Sequence, residues 1–235
     1  MNIGIFTDSH YSSAEITCGC RYNSRSLDKI REAYRIFAEA GCEMVLCLGD
    51  LTDTEKTYEA ECENLRACAA VIDASGIPTL CVMGNHDAFA MDRYRYSVLA
   101  KVPLAPLHKK YGDVDIILLD ANYYKDGQPY DGKPGDWTDT MVPQKQVEWL
   151  KKELESCGDK TYVFSHQLID YIMPQNHVIE NAEEICAVLA SSGKVKGVYQ
   201  GHYHEGGENV IDGIPYVTLA AMCEGYDNRF AIIEV

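Results

Sequence analysis

Long apolar runs are absent from the sequence. No stretch approaches the roughly 18 consecutive apolar residues of a membrane-spanning helix. The opening residues, MNIGIFTDSH, lack the basic start and the longer apolar run of a secretory signal peptide. We therefore expect a soluble, cytoplasmic protein.

Basic residues are also scarce. The chain carries 21 Lys and Arg against 36 Asp and Glu, which gives a formal net charge of −15 at pH 7. A nucleic-acid polymer or an anionic membrane needs a basic face that displaces counterions, so neither is expected as the main partner. An acidic protein that handles an anionic substrate must acquire positive charge locally, and bound metal ions would supply it.

Repeated cysteine pairs are missing, although the chain has 10 cysteines. Cys18 and Cys20 lie close together, but no second pair at ligand spacing accompanies them, which disfavours a zinc site. A disulfide framework is the other alternative, and it is typical of exported proteins. Several cysteines lie inside apolar helical or strand patterns, so we expect reduced, mostly buried thiols: Cys47, Cys68, Cys81 and Cys186.

What the sequence does contain is an alternation of strand and helix patterns over 235 residues, a length that suits one domain spanning residues 1–235. Apolar runs typical of buried strands occupy residues 3–6, 44–49, 79–84, 115–120, 161–165 and 196–200. Apolar residues at three- or four-residue spacing predict helices over residues 26–40, 56–75, 143–156 and 181–192, the third with Pro143 as its first residue. The tail changes to a hairpin over residues 208–219, with Asp212-Gly213 as its turn, and a last strand over 229–235. The pattern predicts an α/β fold with a mixed sheet, or two packed sheets, and helices outside.

Polar side chains follow five of the predicted strands at the point where each strand ends. The segments are Thr7-Asp8-Ser9-His10, Gly49-Asp50-Leu51-Thr52-Asp53, Gly84-Asn85-His86-Asp87, His166 and Gly201-His202-Tyr203-His204. Each segment alone is typical of turn chemistry or helix capping. Because ligands of α/β sheets bind at the carboxyl ends of strands, the five segments together predict one site.

The chemistry of these groups suits a pair of metal ions. Two cations about 3.5 to 4 Å apart need a bridging carboxylate and terminal ligands on each side, and Asp50, placed by the Gly49 turn, is the natural bridge. We expect the first ion to be held by Asp8, His10, Asp50 and His204, and the second by Asp50, Asn85, His166 and His202. Carboxylate, amide and imidazole donors without a thiolate admit Mn, Fe or Zn. The two other histidines are interpreted as surface residues: His108 and His177.

In this order, the five segments resemble the signature of the calcineurin-like metallophosphoesterase superfamily over residues 3–204. The resemblance implies two packed mixed β-sheets flanked by helices, a four-layer αββα sandwich, with a dinuclear metal site on its rim. It also implies that His86 faces the substrate and that Asp87 orients the His86 ring. Asp53 is then expected to contact the metal ligands without binding metal itself. One position departs from the family: many members carry an arginine directly after the GDxxD block, where this chain has Thr54.

The implied reaction is hydrolysis of a small phosphoester or phosphoanhydride by a metal-bridging hydroxide. The leading substrate is a nucleotide, either nucleoside-diphosphate-linked or cyclic. Two stretches, CRYNSRSL (20–27) and GHYHEGG with IDGIPYVTLAAMCEG (211–225), are similar to the manganese-dependent ADP-ribose/CDP-alcohol diphosphatases. Two alternatives stay open: a phosphomonoesterase acting on phosphoprotein or a small phosphate ester, and a non-catalytic scaffold on the same fold.

One segment, residues 121–142, contains no predicted helix or strand. A structureless stretch longer than about 12 to 15 residues is uncommon in a compact domain and is often functional. Its aromatic residues Tyr123, Tyr130 and Trp137 make it a candidate lid that stacks a nucleobase, with Arg21 and Arg25 near a second phosphate. The alternative is that the aromatic residues only pack the loop onto the domain.

Overall fold

The computed structural model describes residues 1–235 as ten strands and six α-helices. The strands are β1 (Asn2–Phe6), β2 (Met44–Cys47), β3 (Thr79–Cys81), β4 (Leu107–Tyr111), β5 (Val114–Leu118), β6 (Lys160–Phe164), β7 (Val195–Gln200), β8 (Gly207–Ile211), β9 (Ile214–Thr218) and β10 (Ala231–Glu234). The helices are α1 (Ser26–Glu39), α2 (Tyr58–Ala74), α3 (Asn85–Ala90), α4 (Arg93–Ala100), α5 (Gln144–Ser156) and α6 (Ala182–Ser192). The predicted tail is present, as the hairpin β8–β9 followed by the closing strand β10.

The strands form two sheets. The first has the order β10-β1-β2-β3, with β1, β2 and β3 parallel and β10 antiparallel to β1. The second has the order β4-β5-β6-β7-β9-β8, in which β5, β6, β7 and β9 run parallel and the edge strands β4 and β8 run antiparallel to their neighbours. Both sheets are therefore mixed, and the predicted fold class of two packed mixed sheets with helices outside is confirmed.

Three apolar layers hold the sheets and helices together. The layer between the two sheets contains 12 buried residues, among them Ile5 of β1 and Phe164 of β6. The other two layers pack the first sheet against α1, α2 and α4, and the second sheet against α5 and α6. Because strand side chains alternate between faces, Ile5 faces the other sheet while Phe6 faces the helices. Gly4 of β1 lies directly beneath the ring of Phe37 of α1, where a larger side chain would collide.

Three elements are not predicted by the apolar pattern. The sequence of β4, LHKKY, is interrupted by a histidine and two lysines, yet the strand pairs with β5 along the edge of the second sheet. The helices α3 and α4 have 6 and 8 residues, too few to show a repeating apolar face. The predicted start of α5 is wrong by one residue, because Pro143 is extended, with ψ of 148°, and the helix begins at Gln144.

Residues 121–142 form an ordered loop built around Tyr130. The Tyr130 ring is fully buried and packs against Phe89 and Tyr124. Its hydroxyl donates a hydrogen bond to the carbonyl of Asp139 at 2.9 Å. Trp137, further along the same loop, is only half-buried. The loop is thus packed through one aromatic residue and presents another at the surface.

The ten cysteines are free thiols. Eight are buried, whereas Cys18 and Cys20 are exposed. Burial raises the pKa of the Cys68 thiol, so this side chain is a neutral packing group at neutral pH. No helix in the structure has the length and apolar character that crossing a lipid bilayer requires.

Candidate metal centre

The polar segments predicted from the sequence meet at one edge of the molecule. They follow β1, β2 and β3 of the first sheet and β6 and β7 of the second. All seven side chains predicted to bind metal are brought together there: Asp8, His10, Asp50, Asn85, His166, His202 and His204. Six of these residues are buried, and the side chain of His204 is 14% exposed.

The backbone at these strand ends is strained. Positive φ angles between 46° and 67° occur at Asp8, His10, Asp50 and His202. Such angles at non-glycine residues persist only where the surrounding structure imposes them. Each one costs about 1–3 kcal/mol of conformational free energy. Gly84 is required for a different reason, because a Cβ atom there would overlap the Asp50 carboxylate. The strained backbone at the strand ends therefore lowers the stability of the fold, and it orients the polar side chains toward one site.

Four side chains form the first donor group. The Nε2 atoms of His10 and His204 lie 3.2 Å apart, and their distances to Oδ1 of Asp8 are 3.6 and 3.5 Å. His10 Nε2 is also 3.5 Å from Oδ2 of Asp50. The second oxygen of Asp8, Oδ2, accepts the backbone N–H of His202 at 3.0 Å, which leaves Oδ1 facing the group.

His166 anchors the second donor group. Its Nδ1 donates to the carbonyl of Leu48 at 2.8 Å, so that Nε2 is the nitrogen facing the donor group. Nε2 lies 3.2 Å from Oδ1 of Asn85 and 3.4 Å from Oδ2 of Asp50. His202 completes the group, since its ligand atom and those of Asp50 and His166 all lie within 4.8 Å of one another.

Asp50 belongs to both groups. Its Oδ1 accepts the backbone N–H of His86 at 2.8 Å, which fixes the direction of the carboxylate. Its Oδ2 lies 3.5 Å from His10 Nε2 and 3.4 Å from His166 Nε2. A single carboxylate oxygen is thus equally distant from the two groups, which is the position that a ligand shared by two ions requires.

The spacing of these donors fits metal coordination. Ligands bound about 2.0–2.2 Å from one ion in tetrahedral geometry lie about 3.3–3.6 Å from each other. The contacts within the two groups measure 3.2–3.6 Å. In addition, Asp8 Oδ1 and His202 Nε2 are buried without a hydrogen-bond partner, which is rare for polar atoms that bind nothing. The residues present therefore fit two divalent cations.

The donor groups shift one another's pKa values. Burial acts to raise the pKa of Asp8 and of Asp50, but the nearby histidines outweigh it and lower both below the usual range. Burial acts to lower the pKa of His166, but the charge of Asp50 outweighs it and raises the pKa to about 9. For His202, burial and the charge of His166 lower the pKa. The carboxylates are thus ionised at neutral pH, and a cation that binds here displaces a proton from His166.

Side chains behind the donors hold them in place. Glu224 accepts a hydrogen bond from Nδ1 of His204 at 2.7 Å, so that Nε2 of this ring points to the first group. Asp53 lies 3.8 Å from Nδ1 of His10 and accepts the side-chain amide of Asn23 at 2.9 Å. Such outer contacts fix the tautomer and the direction of metal-binding histidines. Neither Glu224 nor Asn23 belongs to the five strand-end segments, although both lie in the two stretches that are similar to the diphosphatases.

The ring of His86 faces the donor groups from α3. Its Nδ1 lies 2.9 Å from Oδ1 of Asp53, and its ring is perpendicular to that of His10 at a centroid distance of 4.7 Å. The expected pairing of His86 with Asp87 is therefore wrong. The Asp87 carboxylate instead accepts three backbone N–H groups at 3.0–3.3 Å, including that of Gly84 before α3. Asp87 thus holds the backbone of the segments that follow β2 and β3 in place, while Asp53 orients the His86 imidazole.

A cavity of about 140 Å³ opens onto the two donor groups. Arg21, Trp137 and His177 line it together with residues already described. The Arg21 guanidinium lies 3.7 Å from Asp53 and is the only Lys or Arg group in the wall of the cavity. The His177 ring packs against His202 and Trp137 at centroid distances of 5.1 and 5.0 Å. The interpretation of His177 as a surface residue outside the site is therefore wrong.

His108 is not an isolated surface residue either. Its Nε2 lies 2.8 Å from Asp115 of β5, and its Nδ1 lies 2.8 Å from Glu153 of α5. These distances are those of direct hydrogen bonds, unlike the longer spacings of the donor groups. His108 thus belongs to an ion-pair cluster that joins the edge strand β4 to its neighbours, and none of these residues lines the cavity.

The other predicted substrate contacts lie away from the cavity. Tyr130 is fully buried, so the prediction that it stacks a nucleobase is wrong. Tyr123 carries an arginine guanidinium over its ring at 4.5 Å and does not line the cavity. Arg25 is exposed and lies over the ring of Tyr226 at 4.7 Å, also outside the cavity. Among the aromatic residues proposed for the loop, Trp137 alone lines the cavity.

Comparison with known proteins gives related sequences and folds. The sequence profile of the family "Calcineurin-like phosphoesterase" matches residues 1–206. Two proteins named "Probable cyclic nucleotide phosphodiesterase" are related in sequence. The one from Fibrobacter succinogenes is 24% identical over 179 residues, 73% of this chain. The one from Psychrobacter arcticus is 21% identical over 259 aligned residues, which cover 98% of this chain and 84% of that protein. The chain spans 61% of the Fibrobacter protein, less than two thirds of its length.

A solved structure shares the fold. The dimetal phosphatase from Danio rerio superposes on this chain with a TM-score of 0.85, covering 99% of this chain and 91% of that one. The sequence identity between the two is 19%.

Proposed function

Because the chain belongs to the calcineurin-like phosphoesterase family and is a phosphoester hydrolase, we propose that it uses two metal ions to hydrolyse a small nucleotide. The bond cleaved is a phosphodiester or a phosphoanhydride. The observation that carries the proposal is the position of Asp50 Oδ2, at 3.5 and 3.4 Å from a histidine nitrogen of each donor group. A carboxylate oxygen in that position serves two ions at once.

The ligands follow the two donor groups. The first ion would be held by Asp8, His10, Asp50 and His204, and the second by Asp50, Asn85, His166 and His202. Oxygen and imidazole donors of this kind suit Mn, Fe or Zn. When bound, two such cations acidify water and neutralise negative charge on the phosphoryl oxygens.

Arg21 supplies the protein's own positive charge to the cavity. Its guanidinium lies between the Asp53 carboxylate and the cavity, 3.7 Å from the carboxylate. A planar guanidinium binds two oxygens of a phosphate simultaneously. Arg21 therefore holds the phosphate in the orientation needed for attack by water, a role that Thr54 cannot perform because it carries no charge.

His86 protonates the leaving oxygen. With Nδ1 held by Asp53 at 2.9 Å, Nε2 is the nitrogen available to a ligand in the cavity. Burial acts to lower the pKa of His86, but the charges of Asp50 and Asp53 outweigh it and raise the pKa. The negative charges of the two carboxylates thus favour the protonated form of the ring. As the water oxygen bonds to phosphorus and the bond to the leaving oxygen breaks, Nε2 transfers its proton to that oxygen and later regains one from solvent.

One observation supports a nucleotide as substrate, and the size of the cavity indicates which part of the substrate it encloses. Both sequence relatives are named for cyclic nucleotides. The cavity, at about 140 Å³, is smaller than the roughly 300–1,000 Å³ of pockets that enclose a whole small ligand. It suits the phosphate group, and the remainder of the substrate extends onto the surrounding surface.

A substrate panel tests the proposal. A 3′,5′-cyclic nucleotide, ADP-ribose and glycerol phosphate are each assayed with Mn, Fe and Zn. We expect metal-dependent hydrolysis with kcat/KM higher for a nucleotide diester or anhydride than for the monoester. A clear preference for glycerol phosphate would replace the nucleotide assignment, and no metal-dependent hydrolysis of any compound would refute the proposal.

A histidine variant tests the mechanism. His86→Gln is expected to lower kcat by about 10²- to 10⁴-fold, the usual effect of removing a general acid. His108→Gln is the matched control, because this histidine lies outside the cavity. Equal activity of the two variants would remove His86 from the proton transfer.

A further inference from the structure

An exposed tyrosine and a half-buried one pack against each other, close in the chain to Glu224 and Arg21. Tyr226 is 69% exposed, and its ring centroid lies 4.8 Å from that of Tyr22, at an interplanar angle of 47°. The guanidinium carbon of Arg25 lies 4.7 Å from the Tyr226 centroid. We call Tyr22, Arg25 and Tyr226 the tyrosine platform.

Backbone contacts connect the tyrosine platform to the first donor group. The Tyr22 N–H donates to the carbonyl of Cys223 at 2.9 Å, and the preceding residue, Arg21, forms a β-bridge with Glu224. Glu224 in turn accepts from Nδ1 of His204 at 2.7 Å. Tyr22 follows Arg21 directly and Tyr226 lies two residues beyond Glu224. The platform therefore has a fixed position relative to the cavity.

The charge distribution favours an anionic, aromatic ligand on this side. The protein has a net charge of −15, yet Arg21 lines the cavity and Arg25 lies on the platform. The Trp137 ring, which also lines the cavity, contacts His177 and His202 at centroid distances of 5.0 and 5.3 Å. A substrate that extends past Arg21 would thus meet the Arg25 guanidinium and the exposed part of the Tyr226 ring.

We propose that the tyrosine platform is the subsite for the substrate's aromatic base. The base stacks on Tyr226, and Arg25 is placed beside the ring to bind an oxygen of the base or of a second phosphate. This inference rests on the proposed hydrolysis of nucleotides. It adds the residue that recognises the base, which is Tyr226. Base stacking on an aromatic side chain contributes about 1–3 kcal/mol, which corresponds to about 5- to 150-fold in affinity.

The test compares substrates with and without a base. Wild type, Tyr226→Leu and Tyr226→Phe are assayed with a cyclic nucleotide and with cyclic glycerol phosphate, which has a cyclic phosphodiester but no base. Tyr226→Leu is expected to raise KM for the nucleotide by about 5- to 150-fold with little change in kcat. KM for the base-free compound and the kinetics of Tyr226→Phe stay near wild type. Tyr94→Leu is the matched control, since Tyr94 is 78% exposed on α4 and does not line the cavity.

Two kinetic results for Tyr226→Leu would overturn the inference. The first is an unchanged nucleotide KM in Tyr226→Leu, and the second is an equal rise for both substrates, which would indicate a general distortion of the site. If wild type hydrolyses the cyclic nucleotide and cyclic glycerol phosphate with equal kcat/KM, the phosphoesterase function stands. That result refutes only the proposal that the tyrosine platform binds the base. If no compound is hydrolysed, calorimetric titration of AMP into wild type and Tyr226→Leu tests the platform separately, and equal affinities would refute it.

Discussion

Replacement of Asp50 by asparagine tests the shared carboxylate directly. Asparagine has the same shape and keeps an oxygen that can accept the His86 N–H, which Asp50 binds at 2.8 Å. It removes the negative charge from the atom that lies 3.4–3.5 Å from His10 Nε2 and His166 Nε2. The variant therefore changes the charge of the site while the packing around it is retained.

The expected loss can be worked from these distances. Two unit charges 4 Å apart contribute about 4 kcal/mol at an effective dielectric constant of 20. A carboxylate shared by two divalent cations interacts with more charge at shorter range. The loss of binding free energy for the metal pair is therefore at least about 4 kcal/mol, or about 10³-fold in affinity.

The assay is metal content and turnover measured on the same sample. After dialysis against Mn or Zn, wild type is expected to hold two ions per chain, and Asp50→Asn one or none, with kcat/KM lowered at least about 10³-fold. Asp170→Asn is the control, because Asp170 is a buried carboxylate that binds the Asn209 side chain at 2.8 Å and does not line the cavity. Two ions and undiminished turnover in Asp50→Asn would refute the bridging role.

Three further substitutions test other parts of the structure. Asp53→Asn weakens the orientation of His86, so kcat is expected to fall by about 10²-fold or more. The pH profile of kcat should also shift to lower pH. An unchanged profile would contradict the pairing of His86 with Asp53. Glu224→Gln weakens the hydrogen bond that orients His204, so the affinity for one of the two ions should fall about 10- to 100-fold. A competition titration with a chromophoric chelator measures this affinity. An affinity equal to that of wild type would exclude the orienting role of Glu224. Glu61 is buried with Oε2 unpaired, and burial raises its pKa from 4.5 to about 7. The folded state therefore binds this proton more tightly than the unfolded state, and stability falls as pH rises from about 4.5 to 7. Glu61→Gln should raise the free energy of unfolding by up to about 3 kcal/mol at pH 8 and by little at pH 4, and an equal effect at both pH values would contradict the buried charge.

The fold could be predicted where the apolar pattern is long and its ends are marked. α1 and α2 each show a repeating apolar face followed by a glycine with positive φ, Gly41 and Gly76. The pattern fails where tertiary contacts decide. β4 is a strand because β5 offers it an edge, and its side chains His108 and Lys110 are stabilised by Asp115 rather than by apolar burial.

The donor groups could be predicted because ligand chemistry restricts the residue types and strand ends restrict their positions. The supporting side chains could not. Asp53 and Asp87 occupy similar places in their motifs, and only the backbone path shows which carboxylate reaches Nδ1 of His86. His177 reaches the cavity from a short 3₁₀ turn, Gln175–His177, that has no signature in the sequence.

Each donor group draws on both sheets, and this has a consequence for how the protein matures. His204 of the first group and His166 and His202 of the second follow strands of the second sheet, whereas the remaining donors follow strands of the first. Neither ion can be fully coordinated until residue 204 has left the ribosome and the two sheets have docked. Under the proposed ligand assignment, metal acquisition is therefore completed late in biogenesis, after both sheets have formed.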